Sequence, residues 1–329
     1  CGGFFFLYIY LKIILMHKFY FLLVLLFSLS CNNSITEKEL KSNNKQYITV
    51  LGIAQDGGYP HIGCQKVCCD NFYNKKNIKK SVVSLGLIDK ENKQKWLFDA
   101  SPDMHTQLAE LEQNHLKTNN IIDGVFLTHA HIGHYTGLMY FGREAYGKKN
   151  TKVFAMPQMK KFLTQNGPWS QLVGLKNILL KNLQHDSTIV LNNKLKVTPF
   201  LVPHRDEYSE TVGYKIEGNS KSALFIPDID KWQKWNRNVI EEVKKVDYAF
   251  VDATFLNQKE VKRAMTEVPH PFIEETVNLF KNESRKTKNK VIFIHFNHTN
   301  PTLQSNATER KELEKLGFNF ASEGDNYKL

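Results

Sequence analysis

Three histidines fall within six residues in Thr128-His129-Ala130-His131-Ile132-Gly133-His134, directly after the apolar run Ile121–Leu127. The run reads as a buried strand, and alternate residues leaving a strand point the same way. His129 and His131 can therefore converge on one ion while His134 reaches round from the turn. Three or four such donors suit zinc or another borderline ion. A lone histidine at a strand end is more often structural, whereas three at this spacing point to metal. The fold is constrained accordingly: a strand must deliver the cluster to a place where further donors arrive from other strands.

Three further segments supply them. Val202-Pro203-His204, Phe225-Ile226-Pro227-Asp228 and Val291-Ile292-Phe293-Ile294-His295 each end an apolar strand on a metal-type side chain. Singly each is weak, because strand ends are solvent-facing and polar by default. Four strands with the same kind of ending are hard to ascribe to chance. A carboxylate such as Asp228 can bridge two ions and orient a metal-activated water.

Around these segments the chain alternates short β-rich runs with amphipathic helices. Strands are predicted over Tyr47–Ile53, Ser81–Ile88 and Lys95–Phe98, the last two joined through Asp89-Lys90-Glu91-Asn92. Others are predicted over Val153–Ala155, Lys194–Pro203, Thr211–Ile216, Ser222–Ile226, Val246–Val251 and Lys290–His295, with a hairpin around Gly218-Asn219. Helices are predicted over Met104–Glu112 and Pro271–Phe280. Many strands with helices on both outer faces imply a two-sheet αββα sandwich in one domain, without internal repeats.

The amino-terminal part reads as a targeting segment. Phe4–Leu15 is apolar, Met16-His17-Lys18 precedes a second apolar run Phe19–Leu29, and Ser30-Cys31 opens the polar stretch Asn32–Gln46. A short basic start, an apolar stretch and small residues before a cysteine make a secretory signal. The cysteine placement resembles a bacterial lipoprotein signal, which implies Cys31 as the lipidated first residue of the mature chain. Met16 is then the start, with residues 1–15 an upstream over-read. The competing reading is a membrane anchor, since the apolar stretch including residues 4–15 is long enough to span a bilayer; Lys12 and His17-Lys18 interrupt it and favour the cleaved signal. The expected organisation is a leader over 1–31, a polar linker over 32–46 and a catalytic domain over 47–329, exported to the periplasm or attached to the outer membrane. The formal charge of +11 comes from lysines spread along the chain, so it tilts the reading towards small anionic substrates rather than nucleic acid.

Of five cysteines, Cys1 and Cys31 fall in the leader, while Cys64, Cys68 and Cys69 lie within six residues. Three thiolates need a fourth donor for a closed tetrahedral zinc site, and His298, three residues after His295, is the candidate. The alternative is a Cys64–Cys68 or Cys64–Cys69 disulfide, which an exported protein permits but which leaves one thiol unpaired.

The order and character of these segments resemble the metallo-β-lactamase superfamily over roughly residues 47–320. That family's pattern is His-x-His-x-Asp-His, then a histidine, an aspartate and a final histidine, each at a strand end. The resemblance implies the four-layer αββα metallo-β-lactamase sandwich. It also implies that His129, His131 and His204 hold a first metal, that His134 and His295 belong to a second, and that Asp228 bridges them. Gly133 stands where the family has an aspartate. One firm zinc is therefore expected, with a second ion weak, different or absent unless Asp230 reaches in; iron and manganese stay open as alternatives.

Gly57-Gly58-x-Pro60, Asp99-Ala100-Ser101-Pro102-Asp103 and His295-Phe296-Asn297-His298-Thr299-Asn300-Pro301 are similar to the pyrroloquinoline quinone biosynthesis protein B group. The cysteines with His-x-x-His are similar to the cyclic phosphodiesterase of phosphonate breakdown, where three cysteines and the second histidine hold a structural zinc. Its C-x-C-x-x-C spacing differs from the C-x-x-x-C-C found here. Asp252-x-Thr254-Phe255 followed by His270 resembles ribonuclease Z-like members, in which a histidine assists proton transfer. His270 would sit at the start of the helix Pro271–Phe280, where anions gather; its other reading is an exposed loop histidine.

The resemblance thus implies a hydrolase in which a metal-activated water attacks a phosphodiester or related ester-like centre, with Asp228 orienting the water and His270 protonating the leaving oxygen. Two rivals stand beside it. One is an oxidative, quinone-cofactor role like that of the biosynthesis branch. The other is a metal-binding protein without hydrolase activity, which the six remaining ligand-type residues argue against. Metabolic labelling with radioactive palmitate is expected to mark the wild-type chain and not Cys31→Ser; label retained in the variant would remove the lipoprotein reading.

Overall fold

The computed structural model describes residues 45–329. The leader, nearly all of the linker and the lipidation expected at Cys31 lie outside the described residues. Among those described, no helix is long and apolar enough to cross a membrane.

The strands in chain order are β1 (Gln46–Gly52), β2 (Ser84–Asp89), β3 (Gln94–Phe98), β4 (Gly124–Phe126), β5 (Thr151–Ala155) and β6 (Ile178–Asn182). They continue with β7 (Ile189–Val190), β8 (Lys196–Leu201), β9 (Val212–Glu217), β10 (Ser222–Ile226), β11 (Tyr248–Asp252), β12 (Val291–Ile294), β13 (Asn319–Phe320) and β14 (Asn326–Lys328). They form two seven-stranded sheets, ordered β14-β1-β2-β3-β4-β5-β6 and β13-β12-β11-β10-β9-β8-β7. Each sheet is antiparallel on one side and parallel on the other: β3 to β6 run parallel in the first, β10 to β13 in the second. Parallel neighbours require crossovers, which is why helices alternate with these strands.

Side-chain alternation sorts the layers. Ile48, Val50, Leu87, Trp96, Phe98 and Phe126 face the core between the sheets, together with Val197, Tyr214, Ile216 and Phe225 from the second sheet. The intervening Tyr47, Ile88, Leu97, Val125 and Val153 face outward into a second core. There they meet Met104 and Leu108 of the helix Met104–Glu110, and Met159 and Leu163 of the helix Pro157–Gln165. Val239 and Val243 of the helix Val239–Lys244, and Ile273 of the helix Ile273–Leu279, pack with the residues of the second sheet. The result is the expected αββα sandwich.

Two helical boundaries differ from expectation. The helix from Met104 gives way at Leu111–His115 to a π-helical turn. The helix expected from Pro271 begins only at Ile273, because extended Phe272 precedes it and its amide donates to the Glu275 carboxylate. The hairpin around Gly218 holds, with Ser222 opposite Glu217.

A ladder of rings fixes the strand that carries the histidine cluster. Phe98, Phe126 and Phe154 stack across β3, β4 and β5 with centroids 5.1 and 4.3 Å apart. Tyr214 of the opposing sheet meets Phe98 and Phe126 edge-on, and its hydroxyl donates to the Leu127 carbonyl. The amide of Val212 donates to Thr128 O, a second tie between the sheets one residue further on. Phe126→Ala is expected to lower unfolding free energy by about 3–5 kcal/mol, read from the denaturant midpoint. A cost below about 1 kcal/mol would mean that the ladder does not anchor β4.

Candidate metal centre

The acidic and imidazole side chains of the site lie at or just beyond the carboxyl ends of strands. Asp56 follows β1, Asp99 follows β3, His129 to His134 follow β4, His204 follows β8, Asp228 follows β10, Asp252 ends β11, and His295 follows β12. Strands running in the same sense within each sheet bring these ends to one edge. Two of the positions hold the left-handed backbone rare for residues with side chains, Asp99 at φ 64° and His295 at φ 68°. Such strain persists only where the surroundings over-determine it. Asp99 is held by accepting from the Thr128 amide at 2.8 Å, the Thr128 hydroxyl at 2.9 Å and His134 Nδ1 at 2.8 Å.

Two neighbouring groups of donors result, linked through a third made of Asp228, Asp252, His270 and His295. His129, His131, His204 and Asp228 have ligand atoms within 4.8 Å of one another. His129 Nε2 lies 2.8 Å from His131 Nδ1 and 3.3 Å from Asp228 Oδ2, and His204 Nε2 lies 3.2 Å from Asp228 Oδ1. The second group is Asp56, His134 and His295. Its His134 Nε2 is 3.3 Å from Asp56 Oδ1 and 3.8 Å from Asp228 Oδ2, while His295 Nε2 is 3.7 Å from the same Asp228 oxygen. Donors about 2.1 Å from a common ion are separated by roughly 3–3.5 Å, close to these spacings.

The donor atoms also lack other partners. His134 Nε2, His204 Nε2, His295 Nε2, Asp56 Oδ1 and Asp228 Oδ1 are shut off from solvent without a hydrogen bond. Buried polar atoms are normally satisfied, so five orphans aimed at one small volume fit a cation-binding site. The second ring nitrogens of His129, His131 and His295 are engaged, whereas His204 Nδ1 is not. His129 Nδ1 meets the Thr128 hydroxyl at 3.0 Å, His295 Nδ1 the Thr254 hydroxyl at 3.0 Å, and His131 Nε2 the Glu207 carboxylate at 3.1 Å. Such outer contacts set which nitrogen is free to ligate.

Electrostatics follows from burial and from Asp228. Burial pushes His129 well below its usual range and His204 down to about 4, so both are neutral donors. Burial alone would raise the Asp228 carboxyl, but His204, His270 and His295 hold it well below the carboxylate range. His134 is opposed by burial yet raised by Asp99 and Asp56, so an ion has to displace its proton.

His270 belongs to this cluster and is neither exposed nor placed by a helix end. It is buried three residues before the helix Ile273–Leu279, and its Nδ1 lies 2.9 Å from Asp252 and 3.1 Å from Asp228. Burial works to lower it, but these carboxylates raise it to about 10. Asp230 does not reach the cluster: its carboxylate accepts from the Lys231 amide and pairs with Lys234 at 2.7 Å. Sequence reasoning passed over Asp56 as a ligand and Asp99 as the carboxylate that orients His134 through Nδ1. Asp56 carried the same signal as Asp228, an acidic residue just past an apolar strand, in Leu51-Gly52-Ile53-Ala54-Gln55-Asp56.

A separate group joins Cys64, Cys68, Cys69 and His298, again within 4.8 Å. The helix Val67–Tyr73 brings Cys68 and Cys69, and Cys64 sits on the loop before it. All three thiols are free, and Cys64 Sγ and Cys68 Sγ are 3.9 Å apart. That distance is too long for a disulfide and close to the roughly 3.8 Å edge of a thiolate tetrahedron with bonds of about 2.3 Å. Burial and the neighbouring sulfurs push the Cys68 thiol up to about 12, and burial lowers His298 to about 4. A divalent ion would relieve the mutual repulsion of the thiolates. Elemental analysis of the full chain purified in detergent is expected to find about one metal ion fewer per chain in Cys64→Ser than in wild type. Equal metal content, with wild-type thiols fully titratable, would leave the cysteines without an ion.

Comparison with known proteins agrees with this architecture. The family model described as beta-lactamase superfamily domain matches residues 94–296. Coenzyme PQQ synthesis protein B of Gluconobacter oxydans (strain 621H) is 24% identical over 308 residues, covering 86% of this chain and 98% of that protein. The protein of the same name from Nitrosococcus oceani is 26% identical over 319 residues, covering 84% and 98%. Among solved structures, Zn(2+)-bound PqqB from Methylobacterium extorquens superposes with a TM-score of 0.70 at 21% identity, covering 86% of this chain and 100% of that one. A diphosphatase from the PhnP family gives 0.61 at 20% identity, covering 86% and 98%. At these identities the solved structures speak for the fold. The family model spans more than half of the chain and closes one residue past His295, and the chain belongs to the beta-lactamase superfamily.

Proposed function

We propose that this protein is a zinc-dependent hydrolase acting on a small phosphate ester, foremost a phosphodiester. The observation that carries the reading is the convergence of solvent-excluded, unpartnered imidazole and carboxylate atoms around Asp228. His129, His131, His204 and Asp228 would hold one ion, and His134 and His295 offer donors to another beside the same carboxylate. A bound zinc supplies Lewis acidity and brings the pKa of water towards neutrality. Asp228 stays ionised, which suits it to orient that water and take its proton. His270 is raised by Asp252 and Asp228, and its Nδ1 is hydrogen-bonded to Asp252, which leaves Nε2 to protonate the departing oxygen. Arg205 Nη2, 3.4 Å from His131 Nε2 and half exposed, lies at the rim where an anionic ester would enter. The zinc of the Methylobacterium extorquens structure, the diphosphatase of the PhnP family and the net charge of +11 support the choice of metal and substrate class.

A second reading is an oxidative role related to coenzyme PQQ synthesis, favoured by the nearly full-length similarity to that group. Bound iron and redox turnover would select it. Export as a lipoprotein anchored at Cys31 is also proposed, on the leader sequence alone.

His131→Ala and Asp228→Ala are each expected to reduce hydrolysis of bis(p-nitrophenyl) phosphate to background, and His270→Ala to lower kcat by about 100-fold or more. Undiminished turnover in both His131→Ala and Asp228→Ala would contradict the reading.

A further inference from the structure

Gly133 occupies the position at which the superfamily pattern places a carboxylate, and the space beside it is already filled. A Cβ built on Gly133 would lie 2.2 Å from Asp56 Oδ1, 2.7 Å from Asp56 Cα and 3.1 Å from its Cγ. Because the α-carbon of Asp56 is itself in the way, no side-chain rotation relieves the clash. Gly133 does not owe its identity to conformation: its φ is outside the left-handed region, and it lies in the helical turn Ile132–Tyr135, where glycine costs about 1 kcal/mol relative to alanine. The missing side chain makes room for another segment.

That segment is built into the site. Asp56 Oδ1 faces His134 Nε2 at 3.3 Å, and both atoms, like His295 Nε2, are solvent-excluded without a hydrogen bond. The loop after β1 is stapled to the segment after His295. The Gln55 amide donates to Phe296 O at 2.8 Å, the Phe296 amide to Ile53 O at 2.8 Å, and Asn297 Nδ2 to Gln55 Oε1 at 2.6 Å. Asp56 and His295 are thereby held in one frame.

We propose that Asp56 is the anionic ligand of a second metal ion, completing His134, His295 and Asp228, and that Gly133 is the vacated position that admits it. The carboxylate reaches the same ion from a different strand end, so the apparent gap in the histidine motif is a relocation rather than a loss. This rests on the metal-centre reading of the same cluster, but not on hydrolysis.

The test is metal binding by the full chain in detergent, using elemental analysis after dialysis and chelator competition with zinc. Asp56→Ala is expected to bind one ion fewer per chain. Asp56→Asn, which keeps the shape and removes the charge, is expected to weaken that ion by at least the roughly 10- to 100-fold that altering an outer-shell partner of a ligand costs. Gly133→Asp alone is expected to lose the ion too, because two carboxylates then compete for one space. Full zinc content and affinity in both Asp56→Ala and Asp56→Asn would overturn the assignment and leave the hydrolase reading intact. Loss of one ion from Asp56→Ala, in a wild type that hydrolyses no phosphodiester, would support it while the hydrolase reading fails.

Discussion

Asp228 is the charge on which this site depends. It is almost completely buried, yet five imidazoles lie within 4 Å of its carboxylate: His129, His134, His204, His270 and His295. A carboxylate taken out of water is stable only when paired, and polar rings taken out of water are stable only when satisfied. Each solves the problem of the other, and a cation between them would satisfy what remains. The sandwich exists in a form that makes this possible. Parallel strands in both sheets end at one edge, and the ring ladder through Phe98, Phe126 and Phe154 sets how far β4 projects before its histidines begin.

The strand-end pattern was legible because it is local. Each of Val125–Leu127, Phe225–Ile226 and Val291–Ile294 is a short apolar run, and the next polar side chain has nowhere to go but the edge. Contacts across the fold were not legible in that way. Asp56 and Gly133 are complementary in space, but no spacing rule connects them, so Gly133 read as a missing donor. His270 was placed by analogy with a helix end, whereas Asp252 and Asp228 are what hold it.

Elements without a strong pattern were passed over for physical reasons of their own. β7 and β13 are two residues each, and β6 sits at a sheet edge with Leu179, Lys181 and Asn182 exposed, which blurs the alternation. The helix Val67–Tyr73 exposes Val67 and Tyr73, so its sequence lacks an apolar stripe although it carries two of the cysteines. By contrast, Ser222–Ile226 was found at its observed limits, since four consecutive apolar residues between turn signals leave little freedom.

The cysteine cluster and the histidine cluster share their chain segments. Asp56 and Cys64 are eight residues apart on one stretch, and His295 and His298 are three apart on the other, with the staple between Gln55 and Phe296 tying the stretches together. Four donors at Cys64, Cys68, Cys69 and His298 would act as a rivet through both stretches, at a distance from any chemistry. Pulling that rivet would slacken the placement of Asp56 and His295 together while leaving His129, His131 and His204 on their own strands. The molecule would then lose its metals in sequence rather than at once, beginning at the cysteines and passing next to the Asp56 side of the centre.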